Sequence, residues 1–146
     1  MYEGPIIISL KTSIVSTIIV SILGILLANL LLRREGKLKN FFESAIMLPL
    51  FMPPSLIGYI LLMIIGKRSF IGSFLYEYFD FTFIFTWYGA VIAAVITSLP
   101  IMYGSAKGAL LSIDDTYKEV AADLGATKFQ TFYKVTLPLA SKGILS

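Results

Sequence analysis

Long uncharged runs alternate along this chain with short charged connections. Thr12 to Leu32 carries no charged residue, which matches the roughly 20 apolar residues needed to cross a hydrocarbon core of ~30 Å. Two further uncharged runs extend from about Ser44 to Ile65 and from about Ile84 to Ala106. The pattern predicts three membrane-spanning helices over 12–32, 44–65 and 84–106, and an all-α fold class.

Within the first run, Ser13, Thr17, Ser21, Gly24 and Ala28 recur at three- and four-residue steps. A stripe of small residues lets neighbouring membrane helices approach closely, so packing is the first expectation and pathway lining the second. Gly89, Ala93, Thr97, Pro100, Gly104 and Gly108 form a similar series in the third run. Pro100 adds an expected kink there.

The second run holds Pro49, Pro53 and Pro54. Each proline lacks an N–H and crowds the carbonyl one turn earlier, so a break or sharp kink is expected near mid-membrane. Interrupted backbone at that depth is tolerated where protein or a water-filled cavity covers it. Pro53, Pro54, Ser55 and Leu56 are therefore candidate pathway residues. If a half-helix restarts at Pro53–Pro54, the N–H groups of Ser55 and Leu56 face its electropositive end, which favours an anion. The alternative is a kink that only shapes the bundle.

Between the second and third runs, Gly66 to Phe83 contains Lys67 and Arg68, Glu77 and Asp80, and the rings Phe70, Phe74, Tyr76, Tyr78, Phe79, Phe81 and Phe83, with Phe85, Trp87 and Tyr88 beyond. Rings at a span end predict an interfacial belt, with a short helix in the headgroup plane. Stacking on nucleic acid is the weaker reading, because the segment lacks a basic groove.

Charge orients the spans. Arg33, Arg34, Lys37 and Lys39 follow the first run in a loop turned by Gly36, and nine of the 12 Lys and Arg fall on that side, leaving Lys11, Lys67 and Arg68 on the other. The asymmetry places the first loop and everything from Lys107 onward in the cytoplasm, with the N-terminus outside. Read by itself, the basic loop also allows binding to DNA or lipid, but topology already accounts for it.

Composition agrees with a bilayer as solvent: 57% of residues are hydrophobic and 14% charged, mean hydropathy is +0.84, and soluble proteins carry about 25% charge. There is no Cys and no His, which removes thiolate metal sites, the commonest general base and the commonest metal ligand and leaves a thin case for enzymatic chemistry; no catalytic or metal-ligating residue is nominated. No G-x-x-x-x-G-K-[ST] phosphate loop is present, so energy coupling has to come through a partner. No charged side chain lies inside the predicted spans, which argues for selectivity residing in another component.

The stretch EVAADLGATKFQTFYKVTLP, Glu119 to Pro138, reads as two short helices meeting at a glycine. Gly125 follows the apolar positions Val120, Ala121 and Leu124 and suits a left-handed helix end. Thr127 and Gln130 form a capping box that opens a second helix, with Phe129, Phe132 and Tyr133 at helical spacing. Pro138 is expected to stop or kink that helix after Leu137.

These residues carry a resemblance. Glu119, Ala121, Ala122, Gly125, Leu137 and Pro138 stand at the spacing of the EAA motif of ABC importer permeases, with Val120 and Val135 replacing the usual Ala and Ile. In that family the elbow is the coupling helix seated in a cleft of the ATPase subunit. The resemblance implies that Glu119, Ala121, Ala122, Gly125, Ala126, Phe129, Leu137 and Pro138 carry ATPase coupling. Small side chains at Ala121, Ala122 and Ala126 suit close approach, and Phe129 and Phe132 suit a pocket. An ordinary two-helix loop is the plain alternative.

Leu48 to Ala94 resembles the molybdate permease branch, in its Leu-Pro-Leu, Pro-Pro and Gly-Tyr elements and in Gly66-Lys67-Arg68-Ser69-Phe70-Ile71-Gly72, which fits a Gly-x-Arg-x-x-x-Gly pattern. The resemblance implies a homodimer of permease subunits in the cell membrane, separate ATPase subunits that bind the ATP, an external oxyanion-binding protein, and alternating access for molybdate, with tungstate and sulfate as alternatives. No cofactor on this chain and no nucleic acid are implied. The whole chain is expected to be part of one permease domain, with a cytoplasmic loop over 107–140 and the start of a fourth span at 141–146, so that the sequence is a fragment of a longer permease. The competing classes are a non-transporting membrane scaffold, a passive channel, which would need more polar lining, and a membrane-embedded enzyme.

Overall fold

The computed structural model describes residues 4–66, 69–79 and 85–144. Lys67, Arg68, Asp80, Phe81, Phe83 and Ile84, and the last two residues of the expected fourth span, lie outside them. Every regular element among the described residues is helical: α1 (Pro5–Leu32), α2 (Lys37–Phe51), α3 (Pro54–Ile65), α4 (Phe70–Phe79), α5 (Trp87–Leu111), α6 (Asp115–Asp123), α7 (Lys128–Thr131), a π-helical turn (Phe132–Thr136) and α8 (Leu137–Ile144).

The long helices α1 and α5 pack side by side and run parallel. Lys11 Nζ lies 4.9 Å from the Trp87 ring centre at one end, and Gly24 meets Met102 further along. Gly24 is required by that approach, since a Cβ there would stand 2.7 Å from Met102 Cγ and 3.3 Å from the Met102 carbonyl carbon. The buried face of α1 is Ser16, Val20, Gly24, Ala28 and Leu31. The expected stripe coincides with it at Gly24 and Ala28, whereas Ser13 and Thr17 are exposed. Small size marks where helices can approach, and Val20 and Leu31 fill the seam that the small residues open. The opposite face presents Ile14, Ile18, Ile22, Leu26 and Leu30 outward, the surface expected to meet lipid. In α5 only Pro100 of the expected stripe is buried; the seam is built by Val91, Pro100, Tyr103, Ala106, Ala109 and Leu110.

Because α1 and α5 are parallel, the intervening chain has to climb back along the bundle. It does so in two legs. Glu43 on α2 reaches the level of Tyr103 and Lys107, and α3 lies beside the first turns of α5, Ser55 to Ile65 sharing a groove with Gly89 to Ala93. The legs are bent by 118° at Met52–Pro53, so residues 44–65 are not one helix. Pro49 is accommodated inside α2 and Pro54 occupies the first position of α3, where its missing N–H and fixed φ cost nothing.

Both long helices overrun the spans read from hydropathy. α1 starts at Pro5 and includes Lys11, and α5 continues through Lys107 to Leu111. Charge density sets the apparent end of a span, while the backbone ladder continues until a turn stops it. Glu43 and Lys107, placed just outside the predicted spans, therefore lie within α2 and α5 and face each other. The hydrophobic core gathers at this end of the bundle, where Ala28, Leu31, Tyr103, Ala106, Leu110, Ile113, Phe132 and Ala140 pack together.

Candidate functional site: the helical elbow

After α5, Asp114 caps α6 by accepting from the Thr116 N–H at 2.9 Å and the Thr116 hydroxyl at 2.6 Å. The Thr116 hydroxyl, and then its N–H, hold the Asp114 carboxyl below the usual carboxylate range. α6 ends in a complete Schellman turn. Ala126 N–H donates to Ala121 O at 3.0 Å and Gly125 N–H to Ala122 O at 2.9 Å, with Gly125 at φ +79°, a conformation that costs a side-chain-bearing residue about 1–2 kcal/mol.

Thr127 then opens α7 with the expected reciprocal cap: Thr127 N–H donates to Gln130 Oε1 at 2.9 Å and Gln130 N–H to Thr127 Oγ1 at 3.3 Å. The helix does not stop at Pro138. It widens into the π-helical turn Phe132–Thr136, closed by a bond from Leu137 N–H to Phe132 O, and continues as α8 to Ile144. A π turn shifts the hydrogen-bond register by one residue, and the chain carries Pro138, which has no N–H to place, directly after it. The expected loop boundary at residue 140 accordingly falls inside α8.

The predicted coupling residues do not form one surface. Glu119 and Gly125 are exposed, as is Phe129 at 76%. Ala121 is buried, and Leu137 packs against the core. Ala122 and Ala126 line a cavity on the bundle side of the elbow, and Pro138 is exposed on α8. Phe132, expected beside Phe129 in a partner's pocket, is 8% exposed and belongs to this chain's own core. Three residues apart on a helix is one face only in part, about 60° short of a full turn.

The outward surface is instead apolar and aromatic. Tyr117 and Val120 are exposed on α6 and Leu124 just past its end, at 83%, with Phe129 exposed on α7 and Tyr133 in the π turn. Tyr117, Val120 and Leu124 stand at i, i+3 and i+7, one stripe of a helix. The spacing of Val120 and Leu124 was legible, but with no partner in view it reads as a core-facing stripe. Exposed apolar side chains gathered on one short segment mark a candidate protein interaction site, and Glu119, Asp123 and Lys128 stand among them as exposed charges.

The elbow is anchored to α1. Arg33 Nη2 donates to Lys128 O at 3.3 Å, and its Nε donates to Asn29 Oδ1 at 3.2 Å. On the far side of the bundle, the break at Pro53–Pro54 has a plain local account. Leu56 N–H donates to Pro53 O at 2.9 Å, so of the two N–H groups expected to face the open helix end, that of Leu56 is taken up by its own turn. Ser55 borders an apolar groove of about 550 Å³ with Gly58, Tyr59, Leu62, Phe85 and Ala93.

Residues 20–146 match the family described as the binding-protein-dependent transport system inner membrane component. The chain is 39% identical over 140 residues to the molybdenum transport system permease protein of Escherichia coli K12, covering 96% of this chain and 61% of that protein. It is 37% identical over 124 residues to the protein of the same description from Haemophilus influenzae, covering 85% and 54%. A sulfate transport system permease protein of Salmonella typhimurium is 30% identical over 139 residues, covering 95% and 50%. The chain thus spans about 50–61% of the length of these relatives. With the family match running from the middle of α1 to the end of the chain, and with apolar helices long enough to cross a bilayer, this is a multi-pass membrane protein that belongs to the binding-protein-dependent transport system inner membrane components.

Proposed function

We propose that the protein is the permease subunit of an ATP-driven importer for a tetrahedral oxyanion, molybdate first, and that the elbow at α6–α7 is its contact with a separate ATPase subunit. The observation that carries this reading is that Tyr117, Val120, Leu124, Phe129 and Tyr133 are all exposed on an otherwise well-capped turn. Large apolar side chains held outward by a Schellman turn and a capping box are pre-organised for a partner's cleft. In this reading Glu119 and Gly125 border the contact, Ala121, Ala122, Ala126 and Leu137 hold its shape from the bundle side, and Pro138 lies beyond it on α8. The elbow faces the cytoplasm and the N-terminus the exterior, two copies form the pathway, and an external binding protein delivers the anion. ATP-driven closure of the ATPase pair draws the elbows together, and α5 and α8, joined to the elbow at both ends, tilt with it.

Molybdate is favoured over sulfate by the higher identity to molybdenum permeases, 39% against 30%, with tungstate sharing the same geometry. The break at Pro53–Pro54 enters as a pathway element through Ser55. Uptake of radiolabelled molybdate into vesicles carrying the permease, its ATPase and its binding protein tests the reading. ATP-dependent uptake with molybdate and tungstate competing and sulfate competing poorly is expected; a sulfate preference would reassign the substrate, and no ATP dependence would favour a scaffold. Unchanged uptake kinetics in Pro53→Ala/Pro54→Ala would remove the break from the pathway.

A further inference from the structure

The cavity on the bundle side of the elbow is of about 420 Å³, and its lining includes the apolar Leu32, Leu110 and Phe132 and the basic Arg33, Lys118 and Lys128. No acidic side chain is among its lining residues. It therefore pairs an apolar wall with three cations, at the point where the uncharged run of α1 ends and the basic loop begins.

The Arg33 guanidinium is held in place rather than waving in solvent, because Asn29 and the Lys128 carbonyl accept from two of its N–H groups. Arginine carries five donors in a planar fork, so donors are left over for a second acceptor such as a phosphate. Lys128 borders the cavity from the first position of α7. Lys118 is shared with Asp115, 2.7 Å away, and is the weakest of the three. Lys118 and Ala122 stand one turn apart on α6, so the face that borders the cavity is distinct from the Val120–Leu124 stripe.

We infer that this cavity is a binding site for the headgroup of an anionic phospholipid, whose phosphate lies on Arg33 and Lys128 while its acyl chain follows Leu32 and Leu110. A soluble anion would account for the cations but leave the apolar wall unexplained; a neutral lipid would leave the cations unexplained. The bound lipid would bridge α1, α5 and the elbow, so its occupancy would bear on how firmly the elbow is seated. The inference uses the membrane setting alone and stands independently of the transported substrate.

Native mass spectrometry of the full chain in detergent, offered equal amounts of dioleoyl phosphatidylglycerol and dioleoyl phosphatidylcholine, reads the site directly. Preferential retention of phosphatidylglycerol is expected. Each basic residue near an anionic headgroup is worth about fivefold in affinity, so Arg33→Gln/Lys128→Gln should lose on the order of 25-fold. Arg34→Gln/Lys37→Gln removes the same amount of charge at residues outside the cavity lining and should change retention by less than about twofold. Should the double variant fail to fold, Lys128→Gln alone serves, since the Arg33 bond uses the main-chain carbonyl of residue 128; about a fivefold loss is expected. Equal retention of the two lipids, an equal loss in the Arg34/Lys37 control, or displacement of the lipid by millimolar inorganic phosphate would each overturn the assignment.

Discussion

Tyr103 Oη donates to Glu43 Oε1 at 2.8 Å, across the junction of α2 and α5, and Lys107 Nζ donates to the same oxygen at 2.7 Å. Tyr103 is 1% exposed, whereas the Glu43 and Lys107 side chains keep 21% and 29% of their surface. One carboxylate therefore satisfies a buried hydroxyl and a half-buried ammonium, and it ties the broken leg of the bundle to a continuous helix. Loss of Glu43 strands both partners, while loss of Lys107 strands neither buried group. Glu43→Ala is expected to destabilise the chain by about 2–3 kcal/mol and Lys107→Ala by about 1 kcal/mol or less, because the pair is partly solvated. Thermal unfolding in detergent should show that order; a larger shift for Lys107→Ala would contradict it.

The α1–α5 contact makes a second prediction. Gly24→Ala forces Met102 to move at its Cβ and main chain as well as at the side-chain end, so it should cost about 1–3 kcal/mol. Trimming the neighbour relieves the clash. Gly24→Ala/Met102→Ala should therefore cost less than the sum of the two single variants, and strict additivity would show that the two sites act independently.

Acid should loosen the start of the elbow. Asp114 binds the Thr116 hydroxyl and N–H in its charged form, which lowers its folded-state pKa below the unfolded value. Its contribution is complete above the unfolded pKa and is lost as pH falls through the folded one. The stability difference between wild type and Asp114→Ala should accordingly be constant near neutrality and shrink as pH is lowered from about 5 to about 3. Thermal unfolding of the two proteins across that range checks it; a difference that grows on acidification would contradict the sign.

The local signals of the elbow were fully legible: Gly125 at a positive φ and the Thr127–Gln130 cap follow from residue type and spacing. The direction in which side chains point was less so. Phe129 and Phe132 look equivalent in sequence, and only the core around Tyr103 and Ala140 separates an outward ring from an inward one. Proline positions announced an interruption near Pro53, but not its 118° bend, which depends on where α5 allows α3 to lie. Glu43 and Lys107 were missed as a pair for a simple reason: 64 residues separate them, and each alone looks like the charged edge of a span. The Arg33–Lys128 link, at a separation of 95 residues, was beyond sequence reach on the same grounds.

The central claim is that the outward face of the elbow seats an ATPase subunit. Phe129 touches solvent over most of its surface and lies outside the core, so Phe129→Asp leaves the chain folded while placing a charge in the middle of the contact. Copurification of the ATPase subunit with wild type and with Phe129→Asp, at matched expression, reads the contact directly. At least about a tenfold loss of retained ATPase is expected, the size of a central aromatic anchor; retention at the wild-type level would contradict the account.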